Sequence, residues 1–136
     1  MKKSIRKIKK DLKKGVDIDI SRLRLSGLPL PLRIILSEFS GLVQDKFKAG
    51  DVIVSINSGE MIELSGDYIN GATKIEYKQI WEWCGPKYGY SREYDDDYGG
   101  TLHLGSCDLL FPADKLWKSY DHVYRLATKA ELDSRN

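Results

Sequence analysis

The stretch from Thr73 to Cys84 constrains the fold more than any other part of the chain. Thr73, Ile75, Tyr77, Gln79, Trp81 and Trp83 fall on one side of an extended backbone; Lys74, Glu76, Lys78, Ile80, Glu82 and Cys84 fall on the other. This period-two alternation marks a strand with one face on a core and one in water. Gln79 and Ile80 each interrupt their own face once. A long half-buried strand needs antiparallel partners. Short apolar or β-branched runs supply them at 51–56, 61–64, 68–69, 102–104, 109–111 and 123–126. Between them lie the turns Asn57-Ser58-Gly59, Ser65-Gly66-Asp67 and Asn70-Gly71, the last a strong two-residue hairpin signal.

Helical signals flank these strands. Residues 4–14 read as a helix in which Met1, Ile5, Ile8 and Leu12 form one narrow apolar stripe, the rest being almost entirely Lys and Arg, with Gly15 as its stop. Val16 to Ile20 alternates as a strand does, and Leu23 and Leu25 continue the pattern until Gly27, Pro29 and Pro31 break it. Residues 31–43 then place Leu32, Ile35, Leu36, Phe39, Leu42 and Val43 on one broad face, a helix that Pro31 can open and Gly41 weakens. Pro112 opens a single helical turn through Trp117. Thr128 and Glu131 form a T-x-x-E capping box for a short terminal helix. The expected fold is therefore α+β. A curled antiparallel sheet of about five to seven strands, or a small SH3-like or OB-like barrel, carries an N-terminal basic helix, one further helix and a short C-terminal helix. Residues 1–14 form a basic helical arm and residues 15–136 a single domain.

The charge is segregated. Of 22 Lys and Arg and 20 Asp and Glu, residues 1–24 hold ten basic side chains (Lys2, Lys3, Arg6, Lys7, Lys9, Lys10, Lys13, Lys14, Arg22 and Arg24) against Asp11, Asp17 and Asp19. The first 24 residues carry +7 and the rest of the chain −5, a basic arm on a mildly acidic body. An isolated helix this short is marginal in water, and its like charges repel one turn apart. It needs its stripe docked or its charge neutralised. No run of about 18 apolar residues exists, which excludes a membrane-spanning helix, and no apolar stretch follows the basic start as a secretory signal requires. Two cysteines among 136 residues make no disulfide framework, so a reducing, cytoplasmic residence is expected.

Four constellations bear on chemistry. Trp83-Cys84-Gly85-Pro86-Lys87 resembles the Trp-Cys-Gly-Pro-Cys active site of thioredoxins, with Trp81 and Glu82 extending the likeness. Lys87 stands where the resolving cysteine would be, and the helix and βαβ pattern of that family are missing. A strand ending at a Gly-Pro turn is the favoured reading. Cys84, His103, Cys107 and His122 have no familiar structural-zinc spacing beyond the four-residue step from His103 to Cys107. Glu93, Asp95, Asp96 and Asp97 form an acidic cluster that does not meet the calcium-loop pattern. No metal and no cofactor is expected. Seven of the fourteen aromatics lie in 77–98, and Tyr88, Tyr90, Tyr94 and Tyr98 sit in a Gly- and Asp-rich loop, the composition of a protein-binding surface. Tyr90, Tyr94 and Tyr98 are expected to be exposed, and Trp81 and Trp83 to share a core face with Ile75 and Tyr77.

Two short segments add a likeness. Val123-Tyr124-Arg125-Leu126-Ala127-Thr128-Lys129-Ala130-Glu131-Leu132 resembles the tail of some small bacteriophage-encoded proteins. Phe47-Lys48-Ala49-Gly50-Asp51-Val52 resembles the opening of SH3-like modules. The likeness implies a phage accessory protein acting on host or phage machinery, and it leaves residues 1–43 unexplained. The leading expectation is a non-enzymatic binding module whose ten basic residues meet an anionic partner, most simply nucleic acid, through phosphate contacts. The alternative is an inhibitor or adaptor that grips a host protein through Tyr88, Tyr90, Tyr94 and Tyr98. A small thiol or hydrolytic enzyme comes third.

Overall fold

A computed structural model describes residues 19–97, 99–104 and 122–136. The expected arm helix, the strand at 109–111 and the turn from Pro112 to Trp117 lie outside those residues, as does most of the expected strand at 16–20.

The described chain begins with two 3-10 turns, Ile20–Arg22 and Leu25–Gly27, where the alternation had suggested extended strand. Asp19 caps the first, its carboxylate accepting from the Ser21 backbone N–H at 3.2 Å. Helix α1 (Leu30–Phe39) starts behind Pro29, with Pro31 in its first turn. It stops four residues short of the expected end because Gly41 takes φ 74°, a left-handed conformation that closes helices. Its apolar face is broader than its cover. Leu32 and Leu36 are buried, whereas Ile35 and Phe39 are 47% and 76% exposed.

The sheet is antiparallel. Strands β1 (Lys46–Phe47) and β4 (Tyr68–Ile69) make a separate two-stranded ribbon. The main sheet contains β2 (Val52–Ser55), β3 (Met61–Leu64), β5 (Lys74–Trp83), β6 (Tyr90–Arg92), β7 (Gly100–His103) and β8 (Tyr124–Leu126), in the order β6-β5-β3-β2-β8. β7 pairs with the first half of β5 and β6 with its last three residues. The expected loop at 85–100 thus contains a strand. Among the described residues the sheet does not close into a barrel. Helix α2 (Lys129–Asp133) follows β8, and its Thr128–Glu131 capping box is present in both directions.

A bulge in the sheet decides which side chains share a core. Ile62 pairs with Ile80 and Glu63 with Gln79, but Leu64 pairs with Tyr77, so the register slips by one residue. Tyr77 and Ile80, three residues apart, therefore reach the same cluster, with Ile53, Ile62, Leu64, Ile75, Phe47, Tyr68 and Tyr124. Trp81 belongs to a separate cluster with Val54, Met61 and Tyr90. The expected single face holding Ile75, Tyr77, Trp81 and Trp83 is thus divided. Unbroken alternation is a property of a regular ladder, and an inserted residue moves everything beyond it to the other side. Gln79 is fully buried at this slip. Its amide donates to the Tyr94 carbonyl at 2.8 Å and accepts from the Tyr94 N–H at 3.1 Å, which ties the 93–97 segment to the sheet.

Candidate functional site

The described part of the basic segment, residues 19–24, forms with the turn that follows it to residue 28 a root, and the structure shows how that root is held. Arg125, Val54, Met61 and Trp81 are direct partners across β8, β2, β3 and β5. Three of them are apolar, and Arg125 is as buried as they are, with no exposed surface. Such a charge needs a partner on the spot. Glu131, delivered by the first turn of α2, meets it face to face. Arg125 Nη1 donates to Oε1 at 2.6 Å and Nη2 to Oε2 at 2.8 Å, a bidentate pair. The same carboxylate accepts from the Thr128 N–H at 3.0 Å, completing the capping box.

The root closes over this pair. Ser26 donates to Glu131 Oε2 from its backbone N–H at 3.1 Å and from its hydroxyl at 2.8 Å. Thr128 Oγ1 donates to the Leu23 carbonyl at 2.6 Å. The Tyr90 hydroxyl lies 2.5 Å from Ser26 Oγ and 3.1 Å from the Gly59 carbonyl oxygen and donates toward both. Residues 105 positions apart in sequence are thus joined by one buried polar network. Burial opposes ionisation of Glu131, but the Arg125 guanidinium and the N–H and O–H donors around it outweigh burial and hold its carboxyl below the ordinary range.

Tyr90 stands corrected as an exposed loop residue: it is fully buried. The turn from Cys84 to Gly89 is short, and β6 then pairs with the end of β5, so Tyr90 faces inward against Trp83 with ring centroids 5.2 Å apart. Burial, and next the Glu131 charge, push the Tyr90 phenol up to about 12. Protonated Tyr90 is therefore favoured by folding. Its contribution is complete below the unfolded value near pH 10 and is lost as pH rises through about 12. Urea unfolding measured between pH 10 and 12 should show stability falling with pH, and Tyr90→Phe should flatten that slope.

The other sequence-derived candidates are distributed as follows. Arg22 projects into solvent with 85% of its side chain exposed and pairs with Asp19 at 3.1 Å. The Arg24 guanidinium carbon sits over the Trp83 ring, 4.8 Å from its centroid, and Trp83 is half-buried rather than a core residue. Tyr88 is 59% exposed, with Lys87 Nζ 5.4 Å from its ring. Tyr94 is half-buried and stacks on Tyr77 at 6.4 Å. Lys2, Lys3, Arg6, Lys7, Lys9, Lys10, Lys13, Lys14, Tyr98 and Cys107 lie outside the described residues. Cys84 is exposed just beyond β5, and Gly85 at φ 92° begins a turn rather than a helix, so the thioredoxin-like segment lacks the helix N-terminus that would activate its sulfur. No group of His, Cys, Asp and Glu among the described residues is arranged to hold a metal. No described helix is long and apolar enough to cross a membrane.

Sequence reasoning missed Arg125, Ser26 and Tyr90 as members of one network. The capping box was its only local trace, and it announces a helix start, not the buried cation beyond. No known protein family, curated protein or solved structure matches the chain.

Proposed function

We propose that this protein is a non-enzymatic binding module that holds an anionic polymer, most simply nucleic acid, through the basic residues of its first 24 positions. The observation that carries the reading is the charge segregation, ten cations in that segment on a body of net −5, joined to a root that a buried network fixes on the fold. A fixed root gives the basic segment a defined point of departure, with exposed Arg22 beside it. Lys and Arg would meet phosphates and supply affinity without base readout. The likeness of the Phe47–Val52 segment to the opening of SH3-like modules is what favours taking the body as such a module in a phage-type accessory protein. The competing reading, a protein-gripping tyrosine loop, is weakened because Tyr90 is turned into the core and Tyr94 is stacked on Tyr77.

Salt dependence tests this. Each neutralised phosphate contributes a slope of about −0.9 in log K against log salt, so four to eight contacts give about −4 to −7. Titration of a labelled oligonucleotide should show that slope, and deletion of residues 1–14 should remove it while near-UV circular dichroism stays unchanged. Binding that is insensitive to salt, or that survives the deletion, would sink the proposal.

A further inference from the structure

Helix α1 leaves an apolar stripe uncovered. Pro31, Ile35 and Phe39 are all exposed and lie one turn apart, with exposed Glu38 beside the last two. Two turns of helix separate Pro31 from Phe39, a stripe about 12 Å long. A solvent-facing Phe at 76% exposure above an Ile at 47% is unusual enough to ask what covers it.

We propose that residues 4–14 of this same chain dock on that face as a helix, with Ile5, Ile8 and Leu12 against Pro31, Ile35 and Phe39. Three observations favour this occupant. The stripes match: Ile5 to Leu12 spans seven residues, about 10 Å of helix, and both stripes are one side chain wide. The root delivers the arm to the right place. Ile20 packs on the cluster of Leu25 and Leu36, the latter adjacent to Ile35 on α1, and the five residues from Lys14 to Asp19 reach at most about 18 Å. The charges agree, because Lys9 flanks the arm's stripe and Glu38 flanks that of α1. Docking also answers the arm's own weakness, since an 11-residue helix of repelling lysines does not persist alone.

The consequence goes beyond the proposed function. With Ile5, Ile8 and Leu12 inward, Lys3, Lys7, Lys10 and Lys14 fall on the opposite side of the helix. A tethered arm becomes a fixed ridge of cations, so its phosphate contacts are pre-arranged and less ordering is needed on binding.

The test is amide hydrogen exchange on the full chain without nucleic acid, with a synthetic peptide of residues 1–18 as the reference. Amides 5–13 should exchange at least about ten-fold more slowly in the chain than in the peptide. Phe39→Asp, and separately Leu12→Asp, should abolish that protection and leave β2, β3 and β5 unchanged. Because Phe39 is exposed, its substitution should not disturb the core. Exchange equal to the peptide's, or protection that survives both substitutions, overturns the docking. So does protection that appears only as sedimentation shows a dimer forming, which would make a second copy the occupant. A protected arm that binds no oligonucleotide refutes the function proposed above and leaves the docking standing; an unprotected arm that binds one does the reverse.

Discussion

Glu131→Ala should lower the unfolding free energy by about 3–5 kcal/mol, because it leaves the Arg125 guanidinium buried with no carboxylate against it. Arg125 has no exposed surface and its Nε lacks a hydrogen-bond partner, and the neutral Leu126 carbonyl, which accepts from Nη1 at 3.1 Å, does not replace a carboxylate. Ser26 and the Thr128 N–H lose their acceptor at the same time. For a domain stable by roughly 5–15 kcal/mol, this is a large fraction of the total. Urea unfolding checks it directly, the midpoint falling at little change in slope. The double substitution Arg125→Met with Glu131→Leu should cost less than Glu131→Ala alone, since it removes both charges instead of stranding one. A midpoint within error of wild type for Glu131→Ala would show that the pair is not buried as described. Acid should act in the same direction. The Glu131 carboxyl is held below its ordinary range, so its contribution is present above about pH 4.5 and is lost as pH falls through the lowered folded value.

Trp81→Ala should cost a further about 3–5 kcal/mol, the usual range for emptying a large aromatic site. Trp81 is only 6% exposed, packs with Val54, Met61 and Tyr90, and carries the Arg135 guanidinium 5.0 Å from its ring centroid. Trp83→Ala should cost about 1–2 kcal/mol, because that ring is half-buried and loses an edge contact with Tyr90 and the Arg24 guanidinium over it. The indole N–H of Trp81 is buried with no hydrogen-bond partner. Trp81→Phe should therefore be much milder than Trp81→Ala, since it keeps most of the ring and removes an unsatisfied donor. Equal losses for Trp81→Ala and Trp83→Ala would restore the single shared face that simple alternation predicts.

Local chemistry set much of the architecture in advance. The period-two run of 73–84, the turns at Asn57–Gly59 and Asn70-Gly71, the Pro31 helix start and the Thr128–Glu131 box each specify an element through neighbours a few residues away. The antiparallel sheet and both described helices follow from them. The charge separation between the first 24 residues and the body is likewise a property of composition and order alone, and needs no fold to exist.

What tertiary structure decided lies where distant residues meet. The slip between Glu63 and Leu64 depends on how two strands pair, and it moved Ile80 into the Tyr77 cluster and Trp81 out of it. Tyr90 looked like loop because Gly and Asp surround it in sequence, yet β6 pairing turns it inward against Trp83, and Ser26, 64 positions away, receives its hydroxyl. Arg125 read as an ordinary strand residue until β8 placed it beside Val54 and α2 brought Glu131 against it. Periodicity reports which side of its own backbone a residue occupies. It cannot report what the fold sets on that side, because a buried charge is tolerated only by partners that the chain returns from elsewhere.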